Sequence, residues 1–309
     1  SGKMGKIAFV FSGQGAQKAG MGKSFYENSA EIRALFDGAE ALRDGTLRQC
    51  FEGTAEELKE TQNTQPCLYL ADLAAAVALR EMGIVPEGVA GFSLGELPAL
   101  AFAGAYSHFD GFRLACVRGQ EMAKAAAEHP ASMLAVMKLE NTKVEEICKN
   151  FQQVYPVNYN GPGQLVVAGA KEEMDAFSRA VREAGGRGMP IAVGGGFHSP
   201  FMDGAAKAFG EKAAAFALRK PEIAVYSNFT TEPYTENVRE LMEQQINHSL
   251  RWQESIERMA ADGFDTFIEV GVGNTLKKLI ARILPESHVY SVSDMEEAEQ
   301  VSKEVGAEC

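Results

Sequence analysis

Residues 91–95 read Gly-Phe-Ser-Leu-Gly. They lie between a short apolar run, Gly88 to Phe92, and a helical stretch rich in alanine. A serine between two glycines at a strand-to-helix junction implies a tight turn that leaves its hydroxyl exposed at the end of a sheet strand. The backbone N–H groups that follow then stand at the positive end of a helix, where a developing oxyanion can be held. Taken alone, the five residues also fit an ordinary glycine turn carrying a surface serine. The nucleophile reading depends on strand and helix both being present, which makes the chain α/β.

The rest of the chain has the matching rhythm. Residues 6–11, KIAFVF, form an apolar run that stops at Ser12-Gly13 and reads as a buried strand. Thr54-x-x-Glu57 and Ser107-x-x-Asp110 are helix-start signals, the second opening a helix that runs to about Glu128 before Pro130 stops it. Ala71 to Met82 is apolar nearly all round and reads as a buried helix. After Gly194-Gly195-Gly196 come a helix from Pro200 to Ala217, a strand from Ile223 to Asn228, and helices starting near Arg239 and Trp252. A strand from Thr266 to Val270, a helix from Thr275 to Ile283 and a strand from Val289 to Val292 follow. This alternation predicts a mostly parallel sheet covered on both faces.

The segment between these halves differs. Met133 to Lys138 alternates like a strand, and Thr142-x-x-Glu145 signals a helix. Strands Val154 to Asn160 and Gln164 to Ala170 flank Gly161-Pro162-Gly163, then a helix from Lys171 to Ala184 and a strand from Met189 to Val193 complete a βαββαβ order. That order is ferredoxin-like. The expected organisation is an α/β hydrolase-like core over 4–130 and 194–309, with a ferredoxin-like subdomain inserted over 131–193.

Composition excludes several functions. The 42 acidic residues against 30 basic ones give a net charge of −12, without the basic field that a nucleic-acid binder uses against phosphates. No stretch approaches the ~18 consecutive apolar residues of a membrane span; the most apolar, Leu97 to Tyr106, is far shorter. Cys50, Cys67, Cys116, Cys148 and Cys309 form no C-x-x-C pair, which argues against a zinc site or disulfide framework and fits a reducing cytoplasm. Ser1-Gly2-Lys3-Met4 has no apolar signal region and reads as a cloning scar before a native Met4. The expectation is a soluble, acidic cytoplasmic protein with no bound metal, and nothing in it demands more than a monomer.

A serine nucleophile needs a base. Of the five histidines, His129 and His288 lie in polar surroundings and His108 sits in a capping turn. His248, near Trp252, stays a candidate. His198 follows Gly194-Gly195-Gly196-Phe197, which permits close backbone approach, and precedes Ser199-Pro200 at a helix start. Gly13-Gln14-Gly15-Ala16-Gln17 fails both as a dinucleotide fingerprint and as a Walker loop. What remains is a glycine turn at a strand end that either aims backbone donors at an anion or is an ordinary loop. Arg118 is either a solvated helix residue paired with Glu121 or, among Ala115, Cys116 and Met122, a buried guanidinium that needs an anion such as a substrate carboxylate.

Together, GQGAQ at 13–17, GFSLGE at 91–96, VRGQEM at 117–122, NYNGPGQLVVAG at 158–169, FHSPFM at 197–202 and the stretch from Gln245 through Trp252 to Glu269-Val270-Gly271 resemble the malonyl-CoA:acyl carrier protein transacylase family. The resemblance spans almost the whole chain. It implies that Ser93 is the acylated nucleophile, His198 its base, and the main-chain N–H groups of Gln14 and Leu94 the oxyanion hole. It also implies that Arg118 binds the malonyl carboxylate, Met122 and Phe197 line the acyl pocket, and Gln245 orients His198 through its carbonyl in place of a triad acid. The implied reaction is ping-pong transfer of malonyl from malonyl-CoA to the phosphopantetheine thiol of an acyl carrier protein, with no tightly bound cofactor. An α/β serine esterase or thioesterase, a polyketide acyltransferase with another acyl preference, and a non-catalytic docking protein are the alternatives.

Two departures bear on this. The family usually has histidine before the serine, where this chain has Phe92, and Pro98 falls early in the following helix, where a delay or kink is expected. Phe197 resembles the malonyl-selective pattern of polyketide acyltransferases. Because carrier proteins are acidic, docking is expected at a local basic patch, with Arg187, Lys277 and Lys278 as candidates.

Overall fold

The computed structural model describes residues 5–308; the expected cloning scar and Cys309 lie outside them. The run KIAFVF forms β1 (Lys6–Phe11), buried from its second residue on. Four helices follow: α1 (Lys23–Asn28), α2 (Ala30–Leu42), α3 (Thr46–Glu52) and α4 (Ala55–Lys59). Thr54 caps α4, accepting from the Glu57 N–H while the Glu57 carboxylate accepts from Thr54. Helix α5 (Thr61–Glu81) starts ten residues before the apolar stretch that predicts it and runs through Pro66. Its opening residues, Thr-Gln-Asn-Thr-Gln-Pro, are mostly weak helix formers. Burial of Thr64, Gln65, Cys67 and Leu68 overrides that.

The chain continues through β2 (Gly88–Gly91), α6 (Glu96–Phe102) and α7 (His108–Glu128), the last capped by the Ser107 hydroxyl accepting from the Asp110 N–H. Next come β3 (Ala131–Met137), α8 (Asn141–Cys148), β4 (Val154–Gly161), β5 (Gln164–Ala170), α9 (Met174–Glu183) and β6 (Arg187–Ile191). Thr142 lies inside α8 and does not cap it; the N-cap is Glu140, with no side-chain bond. The remainder is α10 (Asp203–Ala213), β7 (Ala224–Tyr226), α11 (Val238–Ile246), α12 (Trp252–Ala261), β8 (Phe264–Val270), α13 (Thr275–Ile283), β9 (His288–Val292) and α14 (Met295–Glu308). Helix α14 has no counterpart among the elements predicted from sequence.

The first sheet has order β7-β2-β1-β8-β9 with every pairing parallel. Phe11 pairs with Gly91 and with Val270, so β1, β2 and β8 end at one level. The turns leaving this carboxyl edge carry Gln14, Ser93 and Gly271, and Asn228 follows β7 there. Such an edge is where open α/β sheets place their sites. The second sheet, β4-β5-β3-β6, is wholly antiparallel, the strand order of a split βαββαβ unit. Alternation divides its faces. Leu134, Val136 and Val167 pack under α8 and α9, while Met133, Val166 and Ala168 join the main core. Its β4 edge is tied to the chain before α12 by the Tyr159 N–H donating to Leu250 O at 2.9 Å and the Leu250 N–H donating to Val157 O at 2.7 Å. Among the described residues no helix is long and apolar enough to cross a membrane.

Candidate active site

The glycines around Ser93 are required by close approach. A Cβ at Gly91 would lie 2.0 Å from the Gly95 carbonyl carbon, and one at Gly95 would lie 2.2 Å from the Phe11 oxygen. Phe92 leads into a 3-10 turn, Ser93–Gly95, before α6 begins at Glu96. Pro98 therefore falls in the first turn of α6, where a missing N–H has no intrahelical acceptor to lose. Ser93 has φ 57, a left-handed conformation that costs an L-residue about 1–2 kcal/mol. Two side-chain amides hold it there: its N–H donates to Asn228 Oδ1 at 2.9 Å, and its carbonyl accepts from Gln245 Nε2 at 2.8 Å.

His198 reaches Ser93 from the glycine-rich loop after β6. Its Nδ1 is 2.8 Å from the Gln245 carbonyl. A carbonyl oxygen only accepts, so Nδ1 carries the proton and Nε2 presents its lone pair. The Ser93 hydroxyl, at 2.7 Å, donates to that lone pair. His198 is 3% exposed. Burial, reinforced by the Arg118 guanidinium and opposed by the Gln245 hydrogen bond, lowers its pKa to about 4. The ring is therefore neutral and basic in form at pH 7, with a backbone carbonyl where a triad would place a carboxylate. Of the other histidines, His248 donates to Gln244 O at 2.7 Å and packs on Phe229, His108 opens α7, and His129 and His288 are exposed. None is hydrogen-bonded to Ser93.

Arg118, from the middle of α7, is 1% exposed. It does not pair with Glu121, which binds Lys212 at 2.9 Å. Its Nη1 donates to Gln65 Oε1 at 3.0 Å, and its Nη2 donates to Gln245 Oε1 at 2.7 Å and to Ser93 Oγ at 3.3 Å; Nε has no partner. Burial lowers its pKa to about 10, with Glu96 opposing the fall, which leaves it cationic at neutral pH. Glu96 is itself buried, accepting from the Asn228 N–H at 2.7 Å and from the Tyr234 hydroxyl, and burial raises its pKa to about 7. A buried cation with an orphan N–H beside a serine hydroxyl is suited to a carboxylate whose other end is attacked. Met122 lies one turn beyond Arg118, its sulfur 3.4 Å from Gln65 Nε2. Phe197 is buried next to His198.

The Gln14 turn packs against the same place. A Cβ at Gly13 would lie 2.4 Å from the Phe92 carbonyl oxygen, and Gln14 Nε2 donates to Thr61 Oγ1 at 3.3 Å. The Leu94 N–H opens the helical turn, where N–H groups lack intrahelical acceptors. The Ser93 N–H is already engaged by Asn228. Phe92 packs edge-on against Trp252, with ring centroids 5.3 Å apart. Thr61 also lines a groove of about 530 Å³ with Lys59, Ala126, Val193 and Gly194, so this groove adjoins the Gln14 turn. Gln65, Asn228 and Glu96 belong to the cluster but were not singled out from sequence. Glu96 lies within GFSLGE, Asn228 ends a strand predicted from sequence, and Gln65 precedes the apolar stretch that predicts α5 and carries no motif.

The acyl transferase domain model matches residues 8–305. The chain is 35% identical over 304 residues to the malonyl CoA-acyl carrier protein transacylase of Bacillus subtilis strain 168, covering 96% of each. The solved transacylase of that name from Clostridium perfringens superposes with a TM-score of 0.94 at 32% identity, covering 98% of both chains. A malonyl-transacylase solved with a type II polyketide synthase acyl-carrier protein superposes with a TM-score of 0.92 at 30% identity, covering 97% of this chain and 99% of that one.

Proposed function

We propose, from the premise that this chain belongs to the malonyl-CoA:acyl carrier protein transacylase family of acyl transferases, that it moves a malonyl group from malonyl-CoA to the thiol of an acyl carrier protein through Ser93. The observation that carries this reading is the convergence of a neutral His198 and a cationic Arg118 on one serine oxygen, at 2.7 and 3.3 Å. His198 Nε2 takes the hydroxyl proton as Oγ attacks the thioester carbonyl. The oxyanion forms against the main-chain N–H groups of Gln14 and Leu94. Collapse of the adduct expels the coenzyme A thiolate, which takes the proton from His198. In the second half His198 deprotonates the carrier's phosphopantetheine thiol, the thiolate attacks the malonyl-serine ester, and Ser93 leaves with the proton.

Arg118 holds the malonyl carboxylate through Nε–H and a neighbouring N–H, which an acetyl group cannot use. Met122 and Phe197 bound the acyl chain, and Phe197 crowds a methyl branch. Gln245 keeps the imidazole in the required tautomer without adding a negative charge that would repel the substrate. That carbonyl partner, together with Arg118, disfavours an esterase. The groove beside Thr61 and Gly194 suits the pantetheine arm. The acidic carrier meets a basic surface at Arg187, which lines a groove of about 490 Å³ with Arg179 and Arg182. The acceptor is a carrier of fatty acid synthesis, the reaction cytoplasmic and the enzyme a monomer. A polyketide carrier is the second reading for the acceptor, favoured by the likeness to the transacylase solved with one.

Incubation with malonyl-CoA and no carrier should raise the intact mass by one malonyl group, mapped to Ser93, and adding carrier should discharge it. Label retained by Ser93→Ala, or hydrolysis without an acyl-enzyme, would contradict the reading.

A further inference from the structure

Both backbone polar groups of Ser93 are taken by side-chain amides, and those two amides are bonded to each other. Asn228 Oδ1 accepts from the Ser93 N–H at 2.9 Å and from Gln245 Nε2 at 3.2 Å. Asn228 Nδ2 donates to the Gly91 carbonyl at 2.6 Å. One carboxamide thus bridges the chain from just before the turn to its apex. Asn228 is anchored in turn: its N–H donates to Glu96 Oε1 at 2.7 Å, its carbonyl accepts from the Arg251 N–H at 2.9 Å, and the Tyr234 hydroxyl holds the other Glu96 oxygen. Asn228 and Glu96 are fully buried, so no water competes for these bonds.

From this arrangement we infer that Asn228 is a positioning residue, which keeps Ser93 in its left-handed turn with Oγ aimed at His198. It also occupies the Ser93 N–H, leaving the oxyanion to donors elsewhere. The inference rests on the reading of Ser93 as nucleophile. The chemistry asks for an amide. The bridge needs an acceptor toward the Ser93 N–H and a donor toward Gly91 O, and asparagine supplies both from one short side chain. Aspartate keeps the shape but sets a second oxygen against the Gly91 carbonyl, with no hydrogen between them, and adds an anion near Arg118.

The test uses the full chain with Asn228→Asp, which preserves volume, and Asn228→Ala. A fluorophosphonate probe reads nucleophile activation without substrate recognition: the Ser93 Oγ–P bond forms, the P–F bond breaks, fluoride departs, and His198 takes the hydroxyl proton. Both variants should label about 10- to 100-fold more slowly, a change of about 1.4–2.7 kcal/mol in barrier. In malonyl transfer kcat should fall in parallel while KM for malonyl-CoA stays within about threefold. The single tryptophan, Trp252, packs on Phe92 beside the turn, so its emission should shift in the folded variants. Wild-type labelling rates in a folded Asn228→Asp, loss only in proportion to the unfolded fraction, or a raised KM with kcat intact would each overturn the inference. Failure to label Ser93 in the unsubstituted protein would instead remove the nucleophile, and the inference with it.

Discussion

At the scale of single residues, the chemistry turns on which form of His198 exists at neutral pH. Burial and the neighbouring Arg118 cation both disfavour its protonated form and lower its pKa to about 4. The sign follows directly. As pH falls through 6.5 a solvated imidazole would gain a proton and lose its capacity as a base, whereas this one keeps its lone pair until pH approaches 4. Glu96 titrates near 7, so the informative window lies below it. Between about pH 6 and 5, kcat/KM for malonyl-CoA should change by less than about twofold, reach about half its plateau near pH 4 and fall about tenfold per pH unit below that. An acid limb centred near 6.5 would show the ring solvated in the working enzyme. Arg118 shows how a residue's meaning depends on depth. Its neighbours Ala115, Cys116 and Met122 suggested an apolar setting, but only the fold turns that stretch of α7 inward and gives Glu121 to Lys212.

At the scale of elements, most of the architecture could be read from the chain. The alternation of strands and helices, the capping signals at Thr54 and Ser107, and the glycine turn at 91–95 each report a local preference that the fold keeps. Elsewhere packing overrules local preference. Helix α5 runs through Pro66 because that turn is buried against α7, and Thr142 is drawn inside α8. Helix α14 (Met295–Glu308) is Glu-rich like a solvated tail, and only the packing of Ala298, Val301 and Val305 into the core marks it as an element. The site was legible to the same degree. Ser93, His198, Gln14 and Gln245 carry motif context, and the structure gathers them. Asn228 and Gln65 act through short amides reaching across strands and helices, which no spacing in the sequence reveals.

At the scale of the whole molecule, building the site buries several carboxyl groups. Glu96 and Glu269 are raised to about 7 by burial, and burial also pushes Asp72 well up. These groups hold protons in the folded state that the unfolded chain releases near pH 4–5. Stability therefore falls as pH rises through that interval toward 7. His198 acts in the opposite sense, since its folded pKa is depressed: its contribution is present above 6.5 and is lost as pH falls toward 4. With these three carboxyls outweighing the depressed imidazoles of His198 and His108, and a net charge of −12, the thermal midpoint should be lower by several degrees at pH 8 than near pH 5; Glu269→Gln should flatten part of that fall. A midpoint that rises steadily from pH 5 to 8 would contradict this balance. The same whole-molecule packing brings α7, the β2 turn, the loop after β6 and α11 to one enclosed point, where the proposed function has a substrate gripped at its charged end and cut at the other. The direct test is the ratio of malonyl to acetyl transfer in Arg118→Ala. Losing one partner of a buried charge pair costs about 2–5 kcal/mol, so kcat/KM for malonyl-CoA should drop by about two orders of magnitude or more, with acetyl transfer spared or improved. An equal fall for both acyl groups would show that the guanidinium does not hold the carboxylate.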